Sequence, residues 1–93
     1  MATIKFKSKP VPITTPQGDY MAVRVPTIKR HHCDMAAFRK HPKYGSYANS
    51  DLFPAMLKRV AEDRLGNYVP VDNPPPDVHV DTTGYLAVVT LDV

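Results

Sequence analysis

Tyr85-Leu86-Ala87-Val88-Val89-Thr90-Leu91-Asp92-Val93 closes the sequence with apolar side chains on nearly both faces of an extended chain. Ala87, Val89, Leu91 and Val93 share one face at a period of two, while Leu86 and Val88 take the other. A strand hydrophobic on both sides belongs inside a sheet, covered on both faces and paired along both edges. Just upstream, Val78 and Val80 alternate with Asp77, His79 and Asp81, and Asp81-Thr82-Thr83-Gly84 reads as a turn. The C-terminal end therefore predicts a hairpin whose second strand is central.

The other end of the chain also alternates. Thr3-Ile4-Lys5-Phe6-Lys7-Ser8-Lys9 puts Ile4 and Phe6 on one face and three lysines on the other. After a connection holding Pro10, Pro12 and Pro16, with Pro16-Gln17-Gly18-Asp19 as its turn, Met21, Val23 and Val25 repeat the period. These two strands predict a first hairpin with a long loop. Between the hairpins the pattern is helical. Asp34 is a natural N-cap for a short helix through Phe38, stopped by Pro42 and Gly45. Asp51 is expected to cap a second helix, with Pro54 in its first turn, Phe53, Met56, Leu57, Val60 and Ala61 as its apolar stripe, and Gly66 as its stop. The fold class that follows is α+β, in the order ββααββ: an antiparallel sheet with two short helices on one face and Pro-rich arms.

Ninety-three residues suit one domain, spanning residues 1–93. Charge divides it. All twelve Lys and Arg residues precede Leu65, against five acids, so residues 1–64 carry +7; residues 65–93 hold four acids and no base, an acidic C-terminal hairpin at −4. Such asymmetry points to contact with a polyanion by one part and docking by the other. Proline reinforces the docking argument, because ten in 93 residues is about double the usual share of roughly 5%. Pro10, Pro12 and Pro16 fall in one connection and Pro70, Pro74, Pro75 and Pro76 in another, so both predict extended arms that need a surface to lie on. The single Cys33 gives no internal disulfide. With no long apolar run and no signal-like core in the first nine residues, the expected setting is the cytoplasm, or a virion assembled there, rather than a membrane or the exterior.

The densest chemical feature is Lys29 to Tyr47, where Lys29, Arg30, Arg39, Lys40 and Lys43 are interleaved with Phe38, Tyr44 and Tyr47. Fixed cations meet phosphates and flat rings stack on unpaired bases, so this mixture suits a single-stranded nucleic acid, with Lys5, Lys7 and Lys9 extending the track. The competing reading makes the aromatics core, the basic residues a helix end, and the strand lysines guards against sheet aggregation. Five phosphate contacts would give a log–log salt slope of about −3.5, or roughly a hundredfold weakening on a fourfold rise in salt. The loop Tyr44 to Asp51 is either an interface loop or a turn that caps the second helix.

Other constellations carry less. His31, His32, Cys33 and His41 offer imidazole and thiolate, but structural zinc sites use paired short spacings and there is no second cysteine. Asp77, His79 and Asp81 fall on one strand face and match an exposed polar face as well as a cation site. Cys33 beside His32 lacks a third orienting group for nucleophilic catalysis. No phosphate loop, dinucleotide fingerprint or nucleophile elbow is present. The sequence thus leads to a protein that is not an enzyme, with no cofactor and no metal. It reads as a small assembly subunit of a larger particle, such as a phage-type virion or nucleoprotein complex, oligomeric, with protein neighbours meeting its hairpins and Pro-rich arms. Its basic face would turn toward nucleic acid or an acidic partner. The alternative is a free-standing single-stranded nucleic-acid-binding protein, or a small inhibitor of a nucleic-acid-processing complex.

Overall fold

The two-sided apolar stretch forms β6 (Leu86–Asp92), which runs antiparallel between β1 (Thr3–Ser8) and β5 (Val78–Thr83). In this computed structural model residues 2–93 are described, and Met1 lies outside them. Phe6, Val89 and Val80 share one row of the sheet, and Ile4, Leu91 and Val78 share another. Burial follows parity. Ile4, Phe6, Ala87, Val89 and Leu91 are buried, while Leu86 on the opposite face is exposed and Val88 and Thr90 are half-buried. The expected cover on both faces of this strand is therefore found on one face only. Gly84 (φ 60°) is the first of two residues linking β5 to β6, where a type II′ hairpin requires positive φ. The strand thus continues to Thr83, beyond the expected turn at Asp81.

The first hairpin differs from expectation. Thr3–Ser8 does not pair with Met21–Val25; the partner of β3 (Gly18–Arg24) is β2 (Val11–Thr15), which lies inside the supposed Pro-rich loop. The reason is local: a two-residue link at Pro16 and Gln17 closes the hairpin next to its strands, sparing the loop-closure entropy of the longer connection. Pro12 is tolerated because β2 is an edge strand, where a missing N–H breaks no ladder. The second Pro-rich stretch is also partly strand, since β4 (Tyr68–Pro70) pairs with the other side of β3. In place of one sheet in the order ββααββ there are two antiparallel sheets, β1-β6-β5 and β2-β3-β4.

Asp34 caps α1 (Met35–Arg39), accepting from the Ala37 N–H at 3.3 Å. α2 (Phe53–Leu65) has Pro54 in its first turn, but Leu52 rather than Asp51 occupies the cap position. Ser50 does the local work, as its hydroxyl accepts from Leu52 N–H at 3.2 Å and its carbonyl from Phe53 N–H at 3.1 Å. Gly66 (φ 73°) ends α2 in a conformation that other residues resist, its N–H reaching the Glu62 carbonyl at 2.8 Å. Phe53, Leu57, Ala61 and Leu65, each four apart, are buried, and Met56 and Val60 flank them. They join one core with Phe38, Val23, Val69 and the inner rows of β1 and β6. Each large side chain among them stabilises the fold by about 1.5–3 kcal/mol.

Candidate functional site

The outer edge of β1 gathers two basic stretches that are more than twenty residues apart in sequence. Ile4 and Cys33 form an antiparallel bridge, and Asp34 N–H donates to the Thr3 carbonyl at 3.1 Å. That contact lays the Lys29–His41 segment along the strand. Lys5, Phe6 and Lys7 consequently line an open groove of about 510 Å³ with His31 and His32. Farther back along β1, Lys40 and His41 line a smaller cleft with Ala2, Ala37 and Pro42. Lys5, Lys7, Lys9, Lys29, Arg39, Lys40, Lys43 and Tyr47 are all exposed.

Two residues of the sequence-derived set are committed to the fold instead. Arg30 donates through Nη1 to the Ala48 carbonyl at 2.6 Å and through Nη2 to the Ser50 carbonyl at 2.5 Å, with its guanidinium 5.8 Å from the Phe53 ring centre. It clamps the interhelical loop to the start of α2. Tyr44 is buried and meets Phe38 edge-on at 6.4 Å, so its ring offers no free face for a base. The Lys43 ammonium lies 5.5 Å from that ring centre. No sequence signal marks Arg30 for this role, because its partners are backbone carbonyls that every residue possesses.

The histidines and the cysteine are individually engaged. His41 Nδ1 accepts from the N–H groups of Lys43 and Tyr44 at 3.0 and 3.2 Å, which leaves Nε2 to carry the proton and donate to the Val93 carbonyl at 3.0 Å. His32 Nδ1 accepts from Lys29 N–H at 2.9 Å. Burial first, then the nearby charges of His31 and Lys29, hold His32 below the ordinary imidazole value. The Cys33 thiol donates to the Lys29 carbonyl at 3.4 Å, and burial pushes its pKa up to about 11 against the opposing pull of Arg30. A thiol so held is protonated at neutral pH and a poor nucleophile. Among the described residues no three His, Cys, Asp or Glu side chains converge where a metal ion could be held.

On the far edge of the same sheet, Asp77, His79 and Asp81 do not act together. Asp77 has φ 66° and pairs with Arg64 at 3.6 Å, and Arg64 also donates to the Asp92 carbonyl at 2.5 Å. His79 and Asp81 stay exposed on the outer face of β5. The β2–β3 hairpin makes a second surface. From Lys7 to Met21 no residue is buried, and Val11, Tyr20 and Met21 are exposed apolar side chains. Tyr20 and Met21 continue into a cleft of about 280 Å³ with Pro70, Asp72 and Asn73. No described helix is long and apolar enough to cross a membrane. No protein-family model, curated protein or solved structure matches the chain.

Proposed function

We propose that the chain is a non-enzymatic subunit of a larger assembly, of the phage-virion or nucleoprotein kind, gripping a protein neighbour with its β2–β3 hairpin. The observation that carries this reading is the hairpin itself: two strands and their loop expose Val11, Tyr20 and Met21 and bury nothing before Ala22. A two-stranded ribbon is marginal in water on its own, and exposed aromatic and Met side chains are what protein interfaces enrich. The proline-containing edge of β2 prevents it from extending a sheet indiscriminately, so its partner contacts fall to its side chains. Lys5, Lys7, His31 and His32 give the same subunit a basic groove for a phosphate backbone or an acidic partner.

That groove also supports a second reading, a free-standing binder of single-stranded nucleic acid or an inhibitor that occupies such a site. Size-exclusion chromatography with light scattering, with and without an oligonucleotide, separates the two. An assembly subunit self-associates with or without oligonucleotide, in a manner lost when Val11, Tyr20 and Met21 are replaced by serine. A particle of constant small mass that shifts with oligonucleotide, whatever stands at those three positions, overturns the first reading in favour of the second.

A further inference from the structure

The uncovered face of the β1-β6-β5 sheet carries an ordered charge pattern. In one row Lys7 of β1, Val88 of β6 and Asp81 of β5 lie side by side; in the next, Lys5, Thr90 and His79 do. Lys5, Lys7, His79 and Asp81 are exposed, and Lys5, Lys7 and Asp81 have no ion-pair partner among the described residues. Within one copy Lys7 and Asp81 stand two strands apart, about 10 Å, with Val88 between them, and they form no ion pair. The basic and acidic halves of the chain are thus folded into opposite margins of one sheet face, with a mostly uncharged strand between them. That central strand is the one whose sequence is apolar on both sides, yet its Leu86 and Val88 remain at least partly open to solvent.

We propose that this face packs on a second copy of the chain about a two-fold axis running along β6, so that Lys7 of each copy meets Asp81 of the other. With their strands aligned, two sheets facing each other admit two in-plane two-fold axes. An axis across the strands lays β1 over β1 and sets lysine against lysine. An axis along β6 exchanges the β1 and β5 margins while keeping each residue's position along the strand. The row Lys7–Val88–Asp81 then falls on its own reverse, giving two Lys–Asp pairs around a Val88–Val88 contact, and Leu86 is covered as well. Charge selects this geometry over the first. Stacked sheets lie about 10 Å apart, a gap that facing Lys and Asp side chains span between them. Sheet twist sets the two copies at roughly 30°, so the central rows meet best. The face measures roughly 20 by 15 Å from strand rise and spacing, well below the roughly 800 Å² per partner of a standard interface. The dimer is therefore weak and salt-sensitive.

This pairing rests on the sheet face alone and is separable from the role of the hairpin. Sedimentation velocity from tens to hundreds of micromolar, at low and high salt, is the measurement. The expected result is a concentration-dependent dimer that high salt weakens. Lys7→Asp or Asp81→Lys alone weakens it roughly tenfold or more, by placing like charges opposite each other, and the double exchange Lys7→Asp with Asp81→Lys restores it. Circular dichroism checks that each variant is folded; should a reversal unfold the chain, Lys7→Gln and Asp81→Asn test the same pairs with a smaller loss. A monomer throughout the range overturns the proposal. So does a dimer indifferent to Lys7→Asp, a double variant no better than the singles, or a dimer lost only when Val11, Tyr20 and Met21 are replaced.

Discussion

His41 Nε2 lies 3.0 Å from the carbonyl oxygen of Val93, joining the loop after α1 to the C-terminal end of β6 across 52 positions of sequence. The same ring holds the loop's shape, since Nδ1 accepts from the N–H groups of Lys43 and Tyr44. Replacing His41 by Ala removes one acceptor and one donor, which leaves the Tyr44 N–H without its partner in a part-buried position and the Lys43 N–H to water. The expected cost is about 1–3 kcal/mol. A urea unfolding series on His41→Ala measures it, and an unchanged midpoint would mean that water replaces the ring without loss.

Arg30 clamps the interhelical loop through the Ala48 and Ser50 carbonyls. Arg30→Lys keeps the charge but loses the planar fork that reaches the Ala48 and Ser50 carbonyls at once. The variant should lose about 1–2 kcal/mol of stability. If the protein binds an oligonucleotide, the slope of log affinity against log salt should be the same for Arg30→Lys and the parent. A slope that instead falls by about 0.7 on Arg30→Gln, one phosphate contact for a single strand, would return Arg30 to the binding surface.

How much of this was legible in the sequence depended on whether the signal was periodic. The strand character of Leu86–Asp92 and of Thr3–Ser8, the cap at Asp34 and the stop at Gly66 follow from side-chain alternation and cap chemistry. The pairing of strands did not follow, because alternation specifies faces but not neighbours. Thr3–Ser8 and Gly18–Arg24 could each have served the other, and the prolines concealed that Val11–Thr15 is an edge strand. For the basic groove, residue types were legible and proximity was not. His31 and His32 meet Lys5 and Lys7 only through the Ile4–Cys33 bridge, a contact that no spacing rule anticipates.

Acid should weaken the fold through His32. Its folded-state pKa is lowered from 6.5, by burial first and then by His31 and Lys29, so the unfolded chain takes up the proton first as pH falls. The contribution of neutral His32 is complete above about pH 6.5 and is lost as pH falls toward the lower folded-state value. Melting temperatures between about pH 7.5 and 5.5 should decline in the parent and decline less in His32→Asn, which keeps an acceptor for Lys29 N–H without titrating. Identical slopes in the two proteins would remove His32 from the account.

Cys33 should resist alkylation while the protein is folded. With its pKa raised to about 11 from 9.0, the thiolate fraction at neutral pH is lowered by roughly a hundredfold. Iodoacetamide labelling followed by mass spectrometry should show that contrast between native and urea-unfolded protein. Comparable rates in the two states would mean that the Lys29 carbonyl contact opens freely.

Removal of Leu91 to Val93 should unfold the chain. Leu91 is fully buried between Ile4 and Val78, Val93 N–H donates to the Ala2 carbonyl at 2.9 Å, and the Val93 carbonyl receives His41. The truncation therefore costs a core leucine, the last rungs of two ladders and the link to the α1 loop. Burial of one leucine alone contributes about 1.5–3 kcal/mol, and a small domain has only about 5 kcal/mol or somewhat more in total. Leu91→Ala isolates the packing share, with an expected loss of about 2–5 kcal/mol, because Ile4, Val78 and Phe53 belong to a core with little room to collapse. Far-UV circular dichroism and urea titration of both variants give the answer. A truncated protein that remains folded with near-parental stability would show that β1 and β5 are held by the rest of the core, and that the C-terminal half of β6 serves something other than the fold.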